Sequence, residues 1–281
     1  MQPHQQRVVD EKAEMERSGM KGVELDRRVS HAFCVVSYGA GTNSTAMLVG
    51  LHERGERPDL ILFADTGGER PETYQHRDTV SDWCESVGFP RIVTVRKGGR
   101  EETLEENCLR MNMLPSIAYG FKSCSHKYKI EAQEKYANNH DQCRATWAAG
   151  ERVLKMIGYD ADETHRAKIP EDKKYTYRYP LVEWDWGRDE CVEAIARAGL
   201  PQPGKSACFF CPSSKPQEIL QLGRTHPELL ARALAMEANA KLTSVKGLGR
   251  SFAWADLVKF SEAQLDLSSH TPEIPCGCFD G

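Results

Sequence analysis

Ala32-Phe33-Cys34-Val35-Val36-Ser37-Tyr38-Gly39-Ala40-Gly41-Thr42-Asn43-Ser44 decides the reading of this chain. The apolar run is continuous rather than alternating, as expected of a strand buried on both faces. It breaks into a loop of glycines and hydroxyls. From Asn43 to Arg54 the apolar residues recur with helical spacing, with Ala46, Met47, Val49, Gly50 and Leu51 on the buried side. Strand, glycine loop and helix in that order leave free amides at a helix start. Those amides, with the hydroxyls of Ser37, Thr42 and Ser44, form an environment for an oxyanion. The loop is neither a Walker A motif nor a Rossmann glycine pattern. Taken alone, it also suits a plain glycine turn.

The alternation continues outward. Leu60-Ile61-Leu62-Phe63-Ala64, Arg91-Ile92-Val93-Thr94-Val95 and Val153-Leu154-Lys155-Met156-Ile157-Gly158 read as further strands, and a helix is predicted from about Pro71. Strands alternating with helices imply right-handed crossovers and a parallel α/β sheet covered by helices on both faces. Ligands of such sheets bind at the carboxyl ends of the strands. The predicted organisation is a polar helical lead-in over 1–30, a nucleotide-binding domain over 31–186, and a mostly helical C-terminal region over 187–281 carrying cysteine loops and a tail.

Bulk properties narrow the class. The chain has 281 residues, 40% apolar and 28% charged, with a formal net charge of −4. No global basic field points to nucleic acid, although Arg96, Lys97 and Arg100 cluster locally, as do Lys122, Lys127 and Lys129. No apolar run approaches the roughly 20 residues of a membrane span, and the charged N-terminus lacks a signal-peptide core. The expectation is a cytoplasmic protein without a membrane partner. Ten cysteines then stand out. In such a compartment they point to metal binding or catalysis rather than disulfides.

Two later loops complete a pattern. Asp65-Thr66-Gly67-Gly68-Glu69-Arg70-Pro71-Glu72-Thr73-Tyr74 follows the second strand, and Gly158-Tyr159-Asp160-Ala161-Asp162-Glu163-Thr164-His165-Arg166 follows the fourth. With the serine-glycine loop and Tyr179-Pro180-Leu181-Val182-Glu183-Trp184, these resemble, in the same order over roughly 31–186, the signatures of the PP-loop superfamily and its phosphoadenosine phosphosulfate (PAPS) reductases. The resemblance implies a PP-loop, adenine nucleotide alpha hydrolase-like fold binding ATP or PAPS. Ser37, Gly39, Gly41, Thr42, Asn43 and Ser44 would hold phosphate or sulfate. Asp65, Thr66, Gly67, Gly158 and Glu163 would line the nucleotide, and Arg166 would contact the anion. Asp65 also suits an Asx turn, and Arg166 an ion pair with Glu163. Asn43 stands where the family often has aspartate, so it brings no charge to magnesium, which stays open as a cofactor.

The cysteines admit three readings. Cys208-Phe209-Phe210-Cys211 is a C-x-x-C pair. Joined by Cys276-Gly277-Cys278, it would make a four-cysteine zinc site. Joined by Cys124, it resembles iron–sulfur members of the family and would hold a [4Fe-4S] cluster. Ser123 takes the place of one family cysteine there, which would leave an open iron suited to sulfur delivery. Cys278 is a further candidate metal ligand. Cys276 resembles the C-terminal nucleophile of the reductases. Cys34, Cys84, Cys143 and Cys191 read as core or structural thiols.

Two chemistries follow. One is ATP pyrophosphatase and adenylation chemistry coupled to sulfur insertion into DNA or tRNA, with Lys127 or Lys129 and Arg166 stabilising phosphate charge; the reading leans this way. The other is PAPS reduction, with sulfite released through Cys276. Either needs a sulfur donor or a thiol-reductant protein as partner. A metal-stabilised nucleotide-binding adaptor without catalysis is the non-enzymatic alternative.

Overall fold

The computed structural model describes residues 32–97 and 102–269. The predicted lead-in over 1–30, Arg100, Cys276 and Cys278 lie outside them.

Five parallel strands form one sheet in the order β3-β2-β1-β4-β5, with β1 at its centre. They are β1 (Cys34–Tyr38), β2 (Leu60–Ala64), β3 (Ile92–Val95), β4 (Val153–Ile157) and β5 (Tyr175–Arg178). Register pairs Val35 with Leu60 on one side, and Ser37 with Ile157 on the other. The strand alternation sorts the core into two faces. Cys34, Val36, Tyr38, Ile61 and Phe63 pack on one side, against the helices α1 (Thr42–Glu53), α2 (Pro71–Ser86) and a later helix, Arg188–Arg197. Val35, Leu60, Leu62 and Ala64 pack on the other, against α3 and α4, numbered here for Glu131–Asn139 and Asp141–Ala148. Cys34, Cys84, Cys143 and Cys191 are fully buried in these layers.

β5 is absent from the sequence-based strands. It is an edge strand, and three of its four residues are only partly buried. It therefore needs no apolar run, and its Tyr-Thr-Tyr pattern sits beside charged Lys173 and Lys174 without the usual contrast.

A third cluster lies beyond the sheet. Leu104, Cys108, Leu114 and Tyr128 join Phe209, Phe210 and the helices Pro216–Thr225, Pro227–Asn239 and Trp254–Ser269. The two phenylalanines of the C-x-x-C segment are fully buried there. Each contributes about 2–3 kcal/mol of burial free energy, which anchors the cysteine loop. Glu237, itself buried, accepts the backbone N–H groups of Leu248 (2.6 Å), Trp254 (2.9 Å) and Ala255 (3.0 Å). Its carboxylate thus satisfies orphan donors at the start of the last helix.

Candidate functional site: a phosphate loop beside a thiol cavity

The central strand delivers the loop. β1 ends at Tyr38, and α1 begins at Thr42. Between them Ala40 sits at φ 55°, buried. A left-handed alanine costs about 1 kcal/mol, strain that the surrounding loop holds in place. Ser44 Oγ accepts the N–H groups of Gly39 (3.1 Å) and Gly41 (3.3 Å). Ser37 donates to Gln133 Oε1 at 2.7 Å. Gly158, at the end of β4, closes against this loop: a Cβ there would lie 3.1 Å from the Asn43 carbonyl and Ser44 Cα.

These groups line a cavity of about 640 Å³ at the carboxyl ends of the strands. Ser37, Gly39, Gly41, Thr42, Asn43 and Ser44 form one wall, with Gly158 and Glu163 beside them. Lys129, Arg166, Arg188 and Lys205 supply positive charge. The volume suits a nucleotide-sized ligand.

Asn43 is tied to the Asp160 loop. Its Nδ2 donates to Asp160 Oδ2 at 2.8 Å and to Glu163 Oε2 at 3.4 Å. Asn43 Oδ1 and Asp160 Oδ1 are buried, with no hydrogen-bond partner among the described residues. Two unsatisfied oxygens beside this glycine-hydroxyl loop fit a hard cation such as magnesium, which takes oxygen ligands. Arg166 pairs with Glu163 and lies over the Tyr159 ring, 4.3 Å from its centroid. It makes the ion pair and also stands in the cavity wall.

Asp65 faces elsewhere. It is 2% exposed. Its Oδ1 accepts the Gly67 N–H (2.8 Å) and the Tyr74 hydroxyl (2.7 Å), and its Oδ2 accepts Arg96 Nε (2.9 Å) and Nη2 (2.6 Å). Burial alone would raise its pKa, but these donors hold the carboxyl below the usual range. Asp65 and Gly67 are in the lining of a separate small crevice, with Arg96 and Tyr128. Asp65 therefore organises its loop, in an Asx-type turn, rather than opening on the large cavity.

Cys124, Cys208 and Cys211 line a second, more apolar cavity of about 220 Å³. Thr66 Oγ1 lies 3.1 Å from Cys208 Sγ. Cys208 is set by the loop after β2: Phe209 N–H donates to the Gly68 carbonyl at 2.8 Å, and a Cβ on Gly68 would fall 2.6 Å from the Phe210 ring. Burial, then the Glu69 carboxylate, push the Cys208 thiol upward, while Lys129 pulls the other way. No group of three or more His, Cys, Asp or Glu among the described residues is arranged to hold a metal ion.

A parallel sheet covered on both faces, with a glycine-hydroxyl loop after its central strand, is the architecture that the motifs implied. Among solved structures, the chain is similar to a phosphoadenylyl-sulfate (PAPS) reductase from Candida auris in its phosphate complex. Identity is 16%, covering 63% of this chain and 78% of that one, with a TM-score of 0.42. It is also similar to the U34-tRNA thiolase NcsA from Methanococcus maripaludis with its [4Fe-4S] cluster. Identity there is 16%, covering 90% of this chain and 87% of that one, with a TM-score of 0.41. No family profile matches the chain, and no curated protein sequence does. Among the described residues, no helix is long and apolar enough to cross a membrane.

Some residues sit differently from the sequence reading. Lys127 is exposed and lines neither cavity, whereas Lys129 lines both. Residues two apart on a helical turn face different ways, and the π-helical turn His126–Ile130 turns Lys129 inward. Ser206, Lys205 and Arg188 also reach the large cavity and are absent from the sequence-based site. The signal that could have found two of them is Pro203-Gly204-Lys205-Ser206, a turn carrying a cation and a hydroxyl directly before the C-x-x-C pair.

Proposed function

We propose that this chain binds an adenine nucleotide in the larger cavity and couples it to sulfur transfer at the cysteines of the smaller one. The observation that carries this reading is that the two cavities share Lys129 and Ser206. A nucleotide held by the phosphate loop would meet sulfur chemistry across one lysine. The specific reaction we favour is that of a PP-loop ATP pyrophosphatase, adenylating an acceptor in DNA or tRNA before sulfur displaces AMP.

In that reaction Ser37, Gly39, Gly41, Thr42, Asn43 and Ser44 hold the phosphates, and Gly158 leaves room for the loop. Lys129 and Arg166 stabilise the negative charge that develops as the α-phosphorus is attacked. Asn43, Asp160 and Glu163 would hold magnesium, which would neutralise phosphate charge when bound. The unpartnered Asn43 and Asp160 oxygens favour this over a metal-free sulfonucleotide.

Cys124, Cys208 and Cys211 would hold a [4Fe-4S] cluster, whose chemistry would be to carry the sulfur. Their sharing of an apolar cavity suits a cluster, in which each liganded iron takes its own thiolate. Zinc is the alternative, with Cys208 and Cys211 joined by Cys276 and Cys278. Cys278 and Cys276, which lie outside the described residues, remain proposed as a further ligand and as the nucleophile of the reductase alternative.

The test is direct. Protein purified anaerobically is assayed for ATP–pyrophosphate exchange and for sulfite release from PAPS, with iron, sulfide and zinc measured on the same sample. Exchange with bound iron and sulfide supports the adenylating reading. Sulfite release without exchange identifies a sulfonucleotide reductase. Nucleotide binding with neither activity leaves the adaptor.

A further inference from the structure

Glu69 is a buried charge that neither the phosphate loop nor the cysteine pair accounts for. It is 4% exposed. It follows the Asp65 turn, and its backbone pairs with Cys208 in an isolated antiparallel bridge. Its Oε1 receives Lys129 Nζ at 3.3 Å. Its Oε2 is buried with no hydrogen-bond partner among the described residues. A carboxylate at this depth is costly to retain with one oxygen unpaired. Packing alone would be served better by an apolar side chain of the same volume.

What the carboxylate does hold is informative. Lys129 stands in the walls of both cavities, and Glu69 in neither. The carboxylate therefore sits behind the lysine, on the protein side of the junction. A lysine ammonium is a compact charge on a flexible four-carbon stem, so its location is set by its partner. The ammonium has three donors. The Glu69 contact uses one, leaving others for an anion in the cavities.

We propose that Glu69 is a positioning residue: its carboxylate holds the Lys129 ammonium at the junction, so that one cation faces both the bound nucleotide and the thiols. The inference rests on the nucleotide reading of the larger cavity. It has two consequences of opposite sign. A carboxylate behind Lys129 partly neutralises it, which weakens its pull on a ground-state anion. The same carboxylate fixes the ammonium where charge develops during reaction, and that fixed placement is what accelerates the chemical step.

The experiment compares full-length Glu69→Gln, Glu69→Asp and Lys129→Met proteins with the wild type. ATP and PAPS are titrated calorimetrically, and turnover is measured in whichever of the two assays the wild type supports. Glu69→Gln keeps the shape and removes the charge. It is expected to bind nucleotide about threefold more tightly, as the neutralising partner is lost, yet to turn over at least about tenfold more slowly. Glu69→Asp restores wild-type affinity and part of the turnover. Lys129→Met loses both, and adding Glu69→Gln to it changes neither further, because the pair acts as a unit. Unchanged affinity and turnover in Glu69→Gln would overturn the proposal, as would a parallel loss of both with the melting temperature. If Glu69→Gln fails to fold, Lys129→Met decides: wild-type affinity and turnover there remove the lysine from the site. A wild type that binds neither nucleotide overturns the functional reading and this inference with it, whereas binding with an unresponsive Glu69 overturns only the inference.

Discussion

The Ser206 hydroxyl donates a hydrogen bond to the carbonyl oxygen of Gly39, across a separation of 167 residues. It ties the segment leading into Cys208 to the glycine-hydroxyl loop after β1. Ser206→Ala should fold normally and lower ATP affinity by roughly fivefold, the loss of about 1 kcal/mol expected for one such bond. Calorimetric titration checks it. Wild-type affinity in the variant would mean the loop keeps its shape without the latch.

Gly158 should tolerate no side chain. A Cβ would meet backbone atoms of Asn43 and Ser44 at 3.1 Å, and backbone yields less readily than a side-chain end. Gly158→Ala should shift the phosphate loop and weaken adenine-nucleotide binding about tenfold, with a smaller effect on stability, of about 1–2 kcal/mol. Titration with ATP and PAPS, set beside denaturant unfolding, separates the two effects.

The cysteines should divide by role. Cys208→Ser and Cys211→Ser should each lose bound iron and sulfide and some thermal stability, since ligation is linked to folding. Cys34 is fully buried inside β1, and its thiol is pushed up to about 12 by burial and then by Asp59. Cys34→Ala should leave metal content unchanged and cost only packing, about 1–3 kcal/mol. Full metal content in both C-x-x-C variants would remove that pair as ligands.

Asp65 should give the fold an acid limb. An unfolded aspartate takes up its proton near pH 3.9, as an approximate reference, but the folded carboxyl does so only at lower pH because Gly67, Tyr74 and Arg96 outweigh its burial. Between those values the unfolded chain binds more protons, so stability falls as pH drops. The contribution of Asp65 should be fully present above about pH 4 to 5 and lost progressively below that. Asp65→Asn should be less stable at neutral pH and show a shallower acid dependence in urea unfolding at a series of pH values. Parallel profiles for the two proteins would mean that Asp65 titrates alike in both states.

The amino-acid sequence by itself determined the strand–loop–helix unit at 34–53, the parallel α/β class and the burial of Cys34, because each is written in neighbouring residues. Continuous apolar runs make buried strands, and glycines ahead of a helical pattern make a strand-to-helix loop. That Cys124 belongs beside Cys208 and Cys211 was legible only through resemblance. Tertiary structure decided the rest. It chose Lys129 over Lys127 for the junction, because the facing of a helical turn depends on what packs against it. It set Glu69 behind that lysine, and Ser206 against Gly39, through contacts between segments far apart in the chain. It added β5, whose edge position removes the apolar signal a buried strand carries. Local pattern encodes backbone conformation, but which side chains meet across a site depends on how distant elements dock, and spacing along the chain does not record that.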